Sequence, residues 1–180
     1  MRRVAGYHDI RMDGMYDLVT RARGASVLDV GCNRGLVGFE FANNGASLVH
    51  GCDNYEDGIK TARQLFADLR NVENKFEVVD LTAGSAALAP FGERVYDIVI
   101  CLATIHKLAR IMPADDLAGL IGHLGKHCRL FAWRGTSDKY EQTHEEMEMI
   151  DRVMAGIDAD RIHTSTLSDL GLCAIWRRND

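Results

Sequence analysis

The chain has 180 residues, 47% of them hydrophobic, which is ample for one core and short for two domains, so residues 1–180 read as a single unit. A formal net charge of −5 excludes a general attraction to nucleic acid, and Arg2, Arg3, Arg11, Arg21 and Arg23 are interleaved with Asp9, Asp13 and Asp17 as on a solvated face. No run approaches the roughly 20 apolar residues of a bilayer span, and M-R-R-V-A-G-Y-H lacks the apolar stretch of a signal peptide, so the expectation is a cytoplasmic protein with no membrane partner.

From His8 to Arg23, Ile10, Met15, Leu18 and Val19 stand among charged residues and predict a helical segment within residues 1–24, ending near Gly24; Tyr7 and His8 at its start are candidates for a lid. Ala25 to Val30 reads as a short buried strand that runs into G-C-N-R-G. Gly31 and Gly35 there permit backbone angles and close approaches denied to other residues, and Asp29 is delivered to the strand's carboxyl end. A helix from Leu36 to Asn44 follows, with Gly45 as a left-handed cap. Ser47 to Cys52 is the second strand, ending at Asp53, and an acidic residue about 20 positions beyond a glycine turn is placed to bind both hydroxyls of a ribose. The next helix sets Ile59, Ala62, Phe66 and Leu69 on one face.

Lys75 to Val79 is the third strand and ends in Asp80-Leu81. Tyr96 to Leu102 is almost continuously apolar, as a central parallel strand covered on both faces requires. Pro113 to Cys128 predicts a helix with Leu117, Leu120, Ile121 and Leu124 inward, and Arg129 to Trp133 a fifth strand. Ser137 to Ile157 predicts a long helix with Met147, Ile150, Val153, Met154 and Ile157 on one side. His144 and Glu148 lie four residues apart on it with no third ligand nearby, so they read as part of its acidic outer face and no metal site is assigned. The tail predicts two strands joined by a tight turn at Ser168 to Gly171. The five cysteines, Cys32, Cys52, Cys101, Cys128 and Cys173, form no C-x-x-C pair and suit reduced buried thiols. Together the elements predict an α/β fold: a doubly wound, mostly parallel seven-stranded sheet with a terminal antiparallel β-hairpin and helices on both faces.

The glycines at 31, 35 and 38 do not follow the dinucleotide spacing G-x-G-x-x-G, and no phosphate-binding G-x-x-x-x-G-K-[ST] occurs, which disfavours pyrophosphate binding. V-L-D-V-G-C-N-R-G instead resembles motif I of class I S-adenosylmethionine-dependent methyltransferases, D-x-G-x-G-x-G, with Asn33 at the middle glycine. Asparagine is among the residues that best tolerate a left-handed backbone. Asp53 matches motif II, and Asp80-Leu81 stands where the family meets adenine. Y-D-I-V-I-C-L-A-T-I-H-K-L resembles motif IV, F-D-x-V-x-x-x-x-x-x-H-H-L, with Lys107 at the second His. The resemblance extends over roughly Ala25 to Trp176.

The resemblance implies S-adenosylmethionine as cofactor, S-adenosylhomocysteine as product, and cofactor contacts from Asp29, Gly31, Asn33, Gly35, Asp53, Asn54, Asp80, Leu81 and Leu102. It makes His106 the candidate base, since imidazole titrates near neutrality, with Thr104 and Lys107 available to hold the same loop. A-T-I-H lacks the [DN]-P-P-[YFW] that grips a planar amine, so methylation of an adenine amine or glutamine amide is disfavoured. The implied reaction is methyl transfer to a hydroxyl or similar nucleophile on a small molecule or exposed group. Two other classes share such a core: a non-catalytic binding or assembly subunit, motivated by Asn33, and an NAD-dependent oxidoreductase, whose glycine spacing is absent here.

Overall fold

Seven strands, β1 (Ser26–Val30), β2 (Leu48–Asp53), β3 (Glu73–Val78), β4 (Tyr96–Leu102), β5 (Cys128–Arg134), β6 (Ala159–Thr166) and β7 (Leu172–Arg178), hydrogen-bond into one sheet in the order β3-β2-β1-β4-β5-β7-β6. This arrangement comes from a computed structural model that describes residues 13–135, 140–167 and 171–179. Tyr7 and His8, the first half of the N-terminal segment, the start of the helix at Ser137 and most of the turn at Ser168 to Gly171 lie outside the described residues. The helices are α1 (Tyr16–Thr20), α2 (Leu36–Asn43), α3 (Glu56–Phe66), α4 (Ile105–Leu108), α5 (Ala114–Lys126) and α6 (Tyr140–Ala155), with a 3₁₀ segment at Leu81–Phe91. None of the described helices is long and apolar enough to cross a membrane.

The first five strands run parallel, and β7 lies antiparallel to both β5 and β6, so the terminal hairpin closes the sheet as the tail predicts. From β1 the chain steps outward through β2 to β3, then returns to the other side of β1 for β4 and β5. The winding direction therefore reverses between β1 and β4. Val30 pairs with Cys52 and with Cys101, which brings the carboxyl ends of the three central strands level.

Alternation along the strands divides the core into two layers. Val27, Val49, Ile98 and Ile100 pack with Val37, Phe41, Ile59, Ala62 and Phe66 of α2 and α3. Leu28, Val30, Val99, Cys101 and Trp133 pack on the other face with Leu117, Leu120, Ile121 and Leu124 of α5 and Met147, Ile150 and Met154 of α6. The helical spacing thus reports which side chains are inside, although Leu69 lies past the end of α3 and is half-buried. The Ala46 N–H donates to the Phe41 carbonyl and the Gly45 N–H to the Ala42 carbonyl, both at 3.0 Å, and Gly45 sits at φ 92. This is the left-handed cap predicted for α2.

Two elements escaped the sequence. Residues 81–91 have neither helical nor strand periodicity and fold as a 3₁₀ segment broken at Gly84, where φ is 67. Residues 105–108 form the single turn α4 directly after β4. All five cysteines are free and buried, and burial pushes the thiols of Cys52, Cys128 and Cys173 up to about 12.

His50, on β2, is 6% exposed; its Nδ1 shares a 2.7 Å hydrogen bond with the Tyr96 hydroxyl, and its ring lies 5.5 Å from that of Phe91. Burial, helped by the charge of Arg94, lowers its pKa from 6.5 to about 4. The unfolded chain therefore binds this proton at a higher pH than the folded one, and stability falls as pH drops from 6.5 towards 4, by up to about 3 kcal/mol. Urea unfolding is expected to show a lower midpoint at pH 5 than at pH 7, with the difference reduced in His50→Gln. An unchanged pH slope in that variant would assign the loss to another group.

Candidate functional site

The carboxyl ends of β1, β2 and β4 open on a cleft of about 410 Å³, within the range of small-molecule sites and at the reversal of winding. Asp29, Gly31, Asn33, Asp53, Asn54, Asp80, Leu81 and Leu102 line it together. A larger open groove of about 1230 Å³ runs past the amino ends of β1, β4 and β5, where Ala25, Asp97 and Arg129 line it, and holds none of these residues.

The turn after β1 is fastened from three sides. The N–H groups of Gly31 and Cys32 both donate to the Cys52 carbonyl, at 2.8 and 2.9 Å. Gly31 has φ 78, and a Cβ there would stand 2.2 Å from Thr104 Oγ1, so the turn and the loop after β4 touch where only a hydrogen fits. Asn33 takes φ 50, the left-handed conformation expected of it, and its N–H donates to Asp53 Oδ2 at 2.8 Å. The Tyr55 N–H donates to Asp53 Oδ1 at 2.9 Å. One carboxylate thereby ties the β1 turn to the loop that follows β2.

The other carboxylates have different settings. Asp29 is 3% exposed, and its Oδ2 accepts the Gly38 N–H at 3.3 Å, one of the amides left over in the first turn of α2. Asp80 caps the 3₁₀ segment by accepting the Thr82 N–H at 3.0 Å and the Thr82 hydroxyl at 2.7 Å. Those bonds hold its carboxyl below the usual range. Gly35 is not among the cleft residues. Its φ is 73, and a Cβ there would lie 2.8 Å from the Ala62 Cβ, so this glycine serves the seating of α2 against α3.

His106, expected beside the reacting group, instead lines a separate hollow of about 350 Å³ with Arg110, Gln142, Glu145, Glu146 and Met149. Burial raises the Glu146 carboxyl to about 7. The next residue on α4, Lys107, lines the cleft, as do Thr104, Leu108, Ile111 and Arg134. The phase of one helical turn separates the two neighbours, and α4 was not legible as a helix. Arg134 is 9% exposed at the end of β5 and was missed because a single charge closing an apolar strand carries no motif.

Residues 27–129 match the family described as methyltransferase domain. The O-antigen chain terminator bifunctional methyltransferase/kinase WbdD of Escherichia coli is 30% identical over 111 residues, 61% of this chain and 15% of that protein. A ubiquinone biosynthesis O-methyltransferase of Neisseria meningitidis serogroup C is 36% identical over 102 residues, 53% of this chain and 39% of the relative. The chain thus spans well under half the length of both. Among solved structures, magnesium protoporphyrin IX methyltransferase (ChlM) from Synechocystis PCC 6803 with bound SAH has a TM-score of 0.68 at 20% identity, covering 99% of this chain and 90% of that one. The family match takes in every strand end that lines the cleft from β1 to β4 and more than half of the residues: the chain belongs to the methyltransferase-domain family.

Proposed function

We propose that the protein is an S-adenosylmethionine-dependent methyltransferase acting on a hydroxyl or similar nucleophile of a small molecule. The observation that carries this reading is the convergence of the motif I turn, Asp53, Asp80-Leu81 and Leu102 on one cleft. The donor set suits the cofactor. Each Asp53 oxygen accepts one backbone N–H, which fixes the plane of the carboxylate and leaves a second lone pair on each for a ribose hydroxyl. In this reading Asp80 and the neighbouring Leu81 meet the adenine edge, and the Gly31–Asn33 turn receives the amino-acid portion. When bound, the cofactor supplies a methyl group already activated by its sulfonium.

What the chain contributes is alignment. Gly31 and Thr104, in mutual contact, fix the floor of the cleft between donor and acceptor. Leu102, Leu108 and Ile111 give the acceptor side an apolar wall. His106 faces the adjoining hollow, so its part is to hold α4 in place, and the acceptor's proton leaves through the open mouth of the cleft.

The test is calorimetry with S-adenosylmethionine, followed by transfer of labelled methyl into fractionated metabolites, proteins and RNA. Binding and label in the metabolite fraction are expected. Selective thermal stabilisation by NAD would favour the oxidoreductase class instead. Asp53→Ala is expected to weaken cofactor binding by about 1–3 kcal/mol in a folded protein, the cost of ribose hydroxyls left without a charged acceptor. At position 33, Asn33→Gly is expected to retain binding and Asn33→Val to impair it, because a β-branched residue fits the left-handed region poorly. Once an acceptor is found, His106→Ala is expected to lower turnover by less than about tenfold; a loss of about 10²–10⁴ would make it the base after all.

A further inference from the structure

Charge is divided along the cleft. Among the described residues its three carboxylates, Asp29, Asp53 and Asp80, stand at or just beyond the ends of β1, β2 and β3, whereas its two cations, Lys107 and Arg134, stand on α4 and at the end of β5. The Ala103 N–H donates to the Arg134 carbonyl at 2.9 Å, so the end of β5 is strapped to the loop that leads into α4. The same half of the cleft carries Leu108 and Ile111, and Ile111 leaves 67% of its surface in water at the rim. Cations beside an exposed isoleucine backed by the buried Leu108 match a ligand with an apolar body and an oxyanion.

We propose that the methyl acceptor is such a molecule: its apolar body lies against Leu108 and Ile111, and its carboxylate or phosphate group is held by Lys107 and Arg134. The inference rests on the methyltransferase reading, which gives the carboxylate half of the cleft to the cofactor. Arg134 is nearly buried at the end of β5, and its guanidinium is a planar fork of the shape that meets an oxyanion. Lys107 is exposed and acts as a point charge at the entrance. A bound cofactor would bring the positive charge of its sulfonium to the cleft, which would favour an anionic acceptor.

The cofactor's own carboxylate is the same chemistry, so the test first saturates the protein with S-adenosylhomocysteine. Benzoate, phenyl phosphate and benzamide are then titrated and followed by NMR at the amides of Lys107 and Ile111. One of the two oxyanions is expected to bind about tenfold more tightly than benzamide, the preferred one identifying the group. Lys107→Met is expected to weaken the oxyanion by about threefold, the scale of an exposed charge, and to leave benzamide unchanged; Arg134→Gln should weaken it further. Equal affinity for all three probes, binding of none, indifference to both substitutions, or release of the bound S-adenosylhomocysteine by the oxyanion would overturn the proposal. Failure of S-adenosylhomocysteine itself to bind, read before any probe is added, would overturn the methyltransferase reading and this inference with it.

Discussion

The cleft depends on the Asp53 carboxylate. Its two oxygens take the Asn33 N–H at 2.8 Å and the Tyr55 N–H at 2.9 Å, and so join two loops that the sheet alone would leave at the ends of separate strands. A charged acceptor for two backbone donors is among the stronger local bonds available to a loop, and it costs no buried apolar surface. The parallel register supplies the rest: Val30 level with Cys52 and Cys101 means that the turn, the carboxylate and the loop after β4 start from one plane.

Around that bond the two core layers support the floor of the cleft. α2 and α3 press on one face of the sheet, α5 and α6 on the other; of the three described non-glycine residues with positive φ, Asp158 precedes β6 and the other two stand at the carboxyl ends. Asn33 and Ala103 both have positive φ there, at 50 and 51, and both have their N–H groups bonded, to Asp53 and to the Arg134 carbonyl. Strain of this kind persists where neighbouring bonds over-determine the backbone, and it gathers at sites that bind ligands.

Much of this was legible from residue order. Alternating strands and helices, Gly45 as a cap, the buried faces of α3 and α5, and the cleft-lining ends of β1 to β4 follow from periodicity and from motifs placed at strand ends. What escaped depended on contacts between residues distant in sequence. The role of Gly35 is set by Ala62, which no turn pattern reveals. The separation of His106 from Lys107 turns on the phase of a four-residue helix too short to show a period. Arg134 reaches the cleft because Leu102 and Arg134 are paired across β4 and β5, a register that sequence does not print.

The contact of Gly31 with Thr104 makes these positions one steric unit. With φ 78 at Gly31 and a hydroxyl where its Cβ would go, a side chain at 31 demands both a changed backbone and a smaller residue at 104. The two sites are 73 residues apart in the chain, yet substitutions at them would have to arrive together. Evolutionary drift in the turn after β1 is thereby yoked to drift in the loop after β4, so a descendant of this chain that remodels the segment after β4 inherits a constraint on the turn across the cleft from it.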